Sequence, residues 1–289
     1  MFCDFRAEIL SYPTGDCGMK QDTPIFGIIG TDIGYSLSPA IYNKLFAQKH
    51  VRAIYNVFDL QNSELEDFIK SVRLLPLAGF NVTIPLKRAI LPLLDRLDIV
   101  AKQTQSANLV INRKGMLRGY NTDYEGIRLS IENRLKISVR GANVAIIGSG
   151  GSAQTAYYYL VSHGARAINV YHRSPASLLR FGAFVRRLPR PSSYRAALLE
   201  KAIDDLAGCD LCINCTPVAI TDLADRGVLK KATSILELRY GTYDLVKRAH
   251  LRGNYMLAVQ AVRNFKIMTG QEVTVNRVLK IIDGALRDD

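Results

Sequence analysis

The segment GFNVTIPLK, residues 79–87, places one cationic side chain after an apolar and β-branched run. Its apolar residues alternate as in a strand with one buried face, and Pro85 prevents that strand from continuing inside a sheet. Lys87 is therefore predicted just past a strand end. An ammonium group at such a point could stabilise negative charge that develops on a reacting oxygen, and could give that oxygen a proton.

Polar residues also stand at two predicted helix starts. YSLSP, residues 35–39, brings the hydroxyl groups of Ser36 and Ser38 to a helix start, which suits a bound carboxylate but equally suits ordinary helix capping. YNTD, residues 120–123, puts Asp123 at another such start, where an acid is usually a cap. These residues alone leave both interpretations open.

Residues 142–174 carry a glycine motif between two predicted strands. Gly148, Gly150 and Ala153 match G-x-G-x-x-A, in which the first glycine permits a tight turn and the second lets the backbone approach a pyrophosphate. The first turn of the following helix offers unpaired N–H groups to a phosphate. A simple strand-to-helix turn is the alternative, but both flanking strands are present, and this context favours a dinucleotide site.

The strand after this helix indicates which dinucleotide is bound. It ends in His172, Arg173 and Ser174, whereas an NAD site normally has an acid there for the ribose hydroxyl. Arg173 is a better partner for the 2′-phosphate of NADP, although a surface arginine at a strand end would look the same. His172 could pack against the adenine. The predicted cofactor is NADP.

Metal chemistry is not predicted. CDLCINC, residues 209–215, has a spacing that an iron–sulfur cluster can use, but an apolar strand turns neighbouring side chains to opposite faces, so we interpret it as a buried strand. The odd total of five cysteines does not suggest a disulfide framework. His50, His163 and His250 lack paired ligand spacing, and we interpret them as surface residues.

Composition limits the classes of protein further. With 289 residues and 48% hydrophobic content, the chain can form two domains, and a formal charge of +12 favours negatively charged ligands. The most basic segment, residues 186–195, is interrupted by prolines and has a single aromatic, so we expect a solvated loop and no nucleic-acid partner. No apolar run approaches the ~20 residues of a membrane helix, and the start lacks a signal-peptide pattern. We therefore expect a cytoplasmic protein with no membrane partner.

Strands alternate with helices through both halves, which predicts an α/β fold whose character changes near residue 142. Together, these segments resemble the shikimate dehydrogenase family over roughly residues 24–280. N-V-T-x-P-x-K and N-T-D in this order are highly specific. The matching segments are YSLSPAIYN (35–43), GFNVTIPLK (79–87), SANL (106–109), GYNTDYEG (119–126), GSGGSA (148–153), NCTP (214–217) and GNYMLAVQAVRNF (253–265).

The resemblance implies an NADP-dependent oxidoreductase acting on CH–OH, which reversibly reduces 3-dehydroshikimate to shikimate in aromatic amino acid (chorismate) biosynthesis. It implies an N-terminal open α/β substrate domain, residues 1–123 plus 255–289, and a Rossmann-like NADP-binding domain, residues 124–254, with the cleft between them. The partner is a small-molecule substrate, and we expect a monomer or homodimer.

The resemblance also implies roles for individual residues. Lys87 and Asp123 would be the catalytic pair, with Asp123 also binding substrate. Further substrate contacts would be Ser36 and Ser38 for the carboxylate, and Thr83, Asn108, Tyr240 and Gln260 for the polyol. Cofactor contacts would be Gly148, Ser149, Gly150, Gly151 and Ser152 at the pyrophosphate, His172, Arg173 and Ser174 at the adenosine phosphate, and Thr216, Leu238 and Gly253 toward the nicotinamide.

Several positions depart from the family pattern. Tyr35 and Tyr42 replace frequent histidines, Leu109 replaces a threonine, and the glycine and methionine expected after Pro217 are missing. These departures leave open a relative that oxidises quinate or another cyclic polyol acid. A non-catalytic regulator that binds NADP or a polyanion is an alternative of another class, and retention of the catalytic pair argues against it.

Overall fold

The computed structural model describes residues 23–188, 193–201, 206, 208–220, 234–241 and 250–288. The strands are β1 Ile25–Gly30, β2 Ile54–Asp59, β3 Leu77–Val82, β4 Arg96–Leu97, β5 Leu109–Arg113, β6 Met116–Tyr120, β7 Asn143–Ile147, β8 Ala167–His172, β9 Ser193–Leu198, β10 Leu211–Asn214, β11 Ser234–Glu237 and β12 His250–Leu251. The helices are α1 Ser38–Gln48, α2 Leu65–Val72, α3 Ile99–Thr104, α4 Asp123–Leu129, α5 Gly151–Ser162, α6 Pro175–Val185, α7 Asn254–Thr269 and α8 Val275–Asp288.

The first six strands form one sheet in the order β2-β1-β3-β5-β6-β4. The β1 strand is parallel to β2 and β3, whereas β5 runs antiparallel to β3 and β6. In β1, Ile28 and Ile29 point into different hydrophobic clusters because side chains alternate across a strand and both faces are covered. This sheet confirms the predicted open α/β arrangement.

The remaining strands form a parallel sheet in the order β12-β11-β10-β7-β8-β9. In chain order this is the 3-2-1-4-5-6 arrangement of a doubly wound dinucleotide-binding fold. The strand order reverses between β7 and β10, and ligands of such sheets bind beyond the carboxyl ends of the strands at this point. Gly148 follows β7 and Cys215 follows β10, so both lie at the reversal.

The last two helices return to the first sheet. The hydrophobic cluster over one face of that sheet contains Ile41 and Phe46 of α1 together with Phe265 of α7 and Ile282 of α8. These apolar residues recur at helical spacing, and the helices therefore bury one stripe each against the sheet layer. Residues from the two ends of the described chain complete one core.

The structure confirms some local predictions and corrects others. Lys87 lies in a turn after β3, as predicted, and Cys212 lies in the fully buried strand β10. The predicted loop at residues 186–195 was wrong in its last part, because Ser193 begins β9, which pairs with β8. The prediction that His250 is a surface residue was also wrong, since its side chain is buried. Cys3 and Cys17 lie outside the described residues.

Two properties of the described residues concern membranes and metals. None of the described helices combines the length and hydrophobicity needed to span a lipid bilayer. Within the described part of the chain, no group of three His, Cys, Asp or Glu side chains is arranged to hold a metal ion.

Candidate active site

A cleft of about 520 Å³ lies between the carboxyl ends of the two sheets. It is lined by residues of both sheets and of the helices that follow them, and it brings together every residue predicted to bind or transform the substrate. These are Ser36, Ser38, Thr83, Lys87, Asn108, Asp123, Tyr240 and Gln260. Three residues predicted to bind the cofactor, Ser152, Thr216 and Leu238, also line it.

Lys87 and Asp123 form an ion pair within the cleft. Asp123 is the first residue of α4, but its carboxylate does not cap that helix. Its Oδ2 accepts a hydrogen bond from Lys87 Nζ at 2.6 Å, and its Oδ1 accepts one from Asn108 Nδ2 at 2.8 Å. The Lys87 and Asp123 side chains are 15% and 4% exposed, so little water weakens this charge-assisted bond. The cap interpretation of Asp123 is therefore wrong.

The substrate side of the cleft is held by a buried network around Asn108. Its Nδ2 group also donates to Thr122 Oγ1 at 2.9 Å and lies 3.3 Å from Gln260 Oε1. Asn264 of α7 accepts from Thr122 Oγ1 at 2.6 Å and donates to Gln260 Oε1 at 2.8 Å. Sequence reasoning missed Asn264, whose only local signal is an amide on an otherwise apolar helix face. The network fixes these side chains before any ligand binds.

A second polar group lies at the start of α1. Ser36 Oγ accepts from the main-chain N–H of Ser38 at 3.3 Å, a local contact beside the N-cap residue Leu37, and both serines line the cleft. Burial raises the pKa of Tyr240 to about 12, and the neighbouring Tyr35 adds to this rise. The Tyr240 phenol therefore stays protonated near neutral pH and can donate a hydrogen bond.

The predicted pyrophosphate site lies at the start of α5. Gly148 has φ +115°, in the left-handed region that favours glycine, and a Cβ there would lie 3.3 Å from Thr216 Cγ2. A Cβ built on Gly150 would meet no atom within 4 Å, so this backbone faces open space next to the free N–H groups of the first α5 turn. The site fits the pyrophosphate of a dinucleotide.

At the end of β8, the three residues predicted to bind the adenosine phosphate differ. Arg173 is exposed, and Ser174 caps α6 by accepting from Ser177 N at 3.4 Å. His172 is 0% exposed, packs edge-on against Phe181 at a centroid distance of 5.4 Å, and burial lowers its pKa to about 4. The His172 side chain lies in the core, away from the predicted phosphate site, because this end of β8 turns its imidazole inward. Of these three residues, Arg173 is the one that offers a positive charge to a phosphate.

Two further residues lie near the cofactor side of the cleft. Gly253 does not line the cleft, and its N–H donates to Arg239 O at 2.9 Å behind the segment that contains Leu238. Cys215, which the sequence grouped with the buried cysteines, lines the cleft beside Thr216. Its position directly after β10 at the strand reversal is the signal that could have identified it.

The fold and the cleft define a two-domain α/β oxidoreductase with a doubly wound nucleotide domain. Residues 28–110 match the shikimate dehydrogenase substrate binding domain. The shikimate dehydrogenase (NADP(+)) of Geobacillus kaustophilus is 32% identical over 279 residues, covering 91% of this chain and 99% of the relative. The enzyme of the same name from Symbiobacterium thermophilum is 37% identical over 213 residues, or 71% of this chain and 72% of the relative. The chain belongs to the shikimate dehydrogenase family.

A solved structure agrees with this assignment. Shikimate 5-dehydrogenase from Thermus thermophilus in complex with shikimate has a TM-score of 0.77 to this chain at 25% identity. The match covers 91% of this chain and 99% of that one. The similarity therefore extends over both sheets and not only over the nucleotide-binding fold, which many unrelated enzymes share.

Proposed function

We propose that this protein is an NADP-dependent shikimate dehydrogenase, which reversibly reduces 3-dehydroshikimate to shikimate in aromatic amino acid biosynthesis. The observation that carries the proposal is the Lys87–Asp123 ion pair, 2.6 Å long, between the predicted substrate and cofactor residues. The names of the curated relatives support the same substrate and cofactor.

Lys87 and Asp123 carry the chemistry that falls to the protein. When NADPH is bound, it supplies the hydride that reduces the ring ketone. Lys87 Nζ donates a hydrogen bond to the ketone oxygen, stabilises the negative charge that develops there, and transfers a proton to it. Asp123 Oδ2 holds Nζ in position, while Asn108 fixes the carboxylate through Oδ1. In the reverse direction Lys87 accepts the proton of the substrate hydroxyl.

The surrounding residues orient the substrate. Ser36 and Ser38 bind the carboxylate with hydroxyl and main-chain donors at the start of α1. Tyr240 donates from its protonated phenol, and Asn108 and Gln260 contact the ring hydroxyls. Thr83 completes this pocket.

The residues that would hold the cofactor lie along the other side of the cleft. Gly148, Ser149, Gly150, Gly151 and Ser152 would hold its pyrophosphate through main-chain N–H groups, and Arg173 would pair with the 2′-phosphate beside Ser174. Thr216 and Leu238 would face the nicotinamide, and Gly253 would support the segment that contains Leu238. For His172 we retain only a main-chain contribution, since its side chain is buried.

Domain boundaries, location and assembly belong to the same proposal. A substrate domain of residues 1–123 plus 255–289 and an NADP domain of residues 124–254 are supported by the two sheets and by the return of α7 and α8 to the first. A cytoplasmic location is supported by Cys212 and Cys215, which are not joined in disulfides. We propose a monomer or homodimer.

The departures from the family pattern bear on the quinate alternative. Tyr42 and Leu109 are completely buried and do not line the cleft, so neither changes the substrate surface directly. Tyr35, which is 63% exposed at the cleft, and Pro217 do line it. Altered selectivity would therefore come from the cleft entrance and not from the polyol pocket.

Absorbance at the reduced-nicotinamide band tests the proposal with shikimate and quinate, each paired with NADP and NAD. The expected result is the highest kcat/KM for shikimate with NADP. A preference for quinate of more than about tenfold, which corresponds to about 1.4 kcal/mol of transition-state stabilisation, would instead support a polyol-acid dehydrogenase. No turnover with any pair, despite NADP binding, would support a regulator.

A further inference from the structure

Four polar residues behind the cofactor side of the cleft form a continuous hydrogen-bonded chain that the proposed catalysis does not use. His250 Nε2 lies 2.9 Å from Glu237 Oε2, and Glu237 Oε1 accepts from Asn214 Nδ2 at 3.0 Å. Asn214 Oδ1 in turn accepts from the main-chain N–H of Thr216 at 3.0 Å and from its hydroxyl at 2.8 Å. The side chains of His250, Glu237 and Asn214 are buried.

Glu237 is the centre of this chain. Its Oε1 also accepts from the main-chain N–H of Ile220 at 2.7 Å. Glu237 Oε1 therefore holds both ends of the loop formed by residues 214–220, and Glu237 Oε2 pairs with His250. A buried carboxylate is costly without such donors, and here three donors surround it.

The carboxylate fixes the orientation of the Asn214 amide. Asn214 Nδ2 points to Glu237 Oε1 and also donates to Val218 O at 2.8 Å. Its Oδ1 must then face Thr216, because a flipped amide would place two oxygens against each other at both contacts. The orientation of one amide thus sets the position of the Thr216 main chain.

This loop lies where the sheet order reverses. Thr216 and Pro217 line the cleft, and Thr216 Cγ2 lies beside the Gly148 turn that precedes α5. We propose that His250 and Glu237 are positioning residues, which hold the loop of residues 214–220 in the conformation that binds the nicotinamide half of NADP without touching the cofactor. This inference rests on the proposed function, which identifies NADP as the ligand of the loop.

Three variants test it, with the NADP dissociation constant measured by isothermal titration calorimetry. In His250→Leu, Glu237 loses a hydrogen-bond partner, the loop loosens, and NADP is expected to bind about tenfold more weakly. The KM for shikimate and kcat at saturating NADP should stay within about twofold. His250→Gln can still donate to Glu237 and should restore most of the affinity. Ile235→Ala, in the same buried strand β11, should lower the melting temperature without weakening NADP binding.

Each outcome decides the inference. An NADP affinity within about twofold of wild type in His250→Leu would overturn it, and so would an equal loss in Ile235→Ala, because general core packing would then explain the effect. If His250→Leu does not fold, Asn214→Asp carries the test at equal volume, since it opposes Glu237 with a second carboxylate and should also weaken NADP binding about tenfold. Near-normal affinity in Asn214→Asp would overturn the inference. Wild-type protein that binds no NADP would overturn the proposed function as well.

Discussion

The Nζ atom of Lys87 lies 3.3 Å from Oγ of Ser152, although Lys87 follows a strand of the first sheet and Ser152 is the second residue of the helix after the second sheet's first strand. The same Nζ pairs with Asp123 at 2.6 Å. The Lys87 amine therefore contacts residues that follow strands of both sheets. Its position depends on how the two sheets are placed on either side of the cleft.

Lys87→Met should lower kcat about a hundredfold or more with a much smaller change in KM, because the lost interaction strengthens only as charge develops on the substrate oxygen. Steady-state kinetics with shikimate measure this. Lys70→Met is the matched control, since Lys70 pairs with Asp67 at 2.7 Å on the exposed surface. Unchanged NADP affinity and thermal unfolding would exclude a folding defect. Near-normal turnover of Lys87→Met would refute the mechanism.

Asp123→Asn should both reduce kcat and raise the KM for shikimate, each by about tenfold or more. The neutral amide no longer attracts Lys87 Nζ, and one of its N–H groups must face either Lys87 or Asn108, which are donors themselves. Glu125→Gln on the same helix, where the side chain is half-buried and pairs with Arg128 outside the cleft, is the control. An unchanged KM would show that Asp123 does not contact the substrate.

Arg173→Asp should weaken NADP binding about a hundredfold and NAD binding by less than about threefold. The change removes a charge-assisted partner of the 2′-phosphate and places a carboxylate against it. Dissociation constants for both dinucleotides measure the effect, and Arg52→Asp, at an exposed position before β2, gives the same charge change elsewhere. Equal losses for the two dinucleotides would mean that Arg173 does not contact the phosphate.

His172 should make the protein less stable in mild acid. Its folded pKa of about 4 lies below the ordinary value of 6.5, so between these values the unfolded chain takes up a proton that the folded protein excludes. The contribution to the free energy of unfolding is fully present above about pH 6.5 and is lost as the pH falls through about 4. Urea unfolding at pH 7 and pH 5 should show a smaller loss for His172→Leu than for wild type. Equal losses would contradict the prediction.

Cys212→Ala should lower the free energy of unfolding by about 1–2 kcal/mol and leave kcat and KM unchanged, because the thiol packs inside β10 among apolar neighbours. Chemical denaturation measures the loss, and Cys215→Ala in the cleft provides the comparison. Purified protein should contain no stoichiometric iron or zinc. Metal found by elemental analysis would reverse our interpretation of CDLCINC.

Sequence patterns were sufficient where structure is set locally. The alternation around residue 80, the glycine turn at 148–153 and the proline after β3 each report a backbone requirement of their own segment. Lys87 was predicted past a strand end and lies there. The β9 strand was not predicted, because the prolines before it suggested a loop whereas pairing with β8 determines its conformation.

Contacts between segments that are distant in the sequence could not be predicted from such patterns. Glu237 and His250 each lie at the end of a short strand, and neither has a neighbour in the sequence that indicates the other. Asn264 bonds to Thr122 across 142 positions, so only the packed structure brings the two side chains together. A polar group can be buried only where the fold supplies a hydrogen-bond partner, and that partner cannot be predicted from the hydrophobicity of the neighbouring residues.

The return of α7 and α8 to the first sheet affects how the protein folds as the ribosome makes it. The apolar stripe of α1, with Ile41 and Phe46, packs partly on the first sheet but gains its full cover only when Phe265 and Ile282 have been synthesised. The second sheet, by contrast, has its whole contiguous segment available earlier. Domains usually fold in the order of their synthesis. Here the earlier segment completes its packing only after the later one, so part of its hydrophobic face stays accessible to chaperones until α7 and α8 are made.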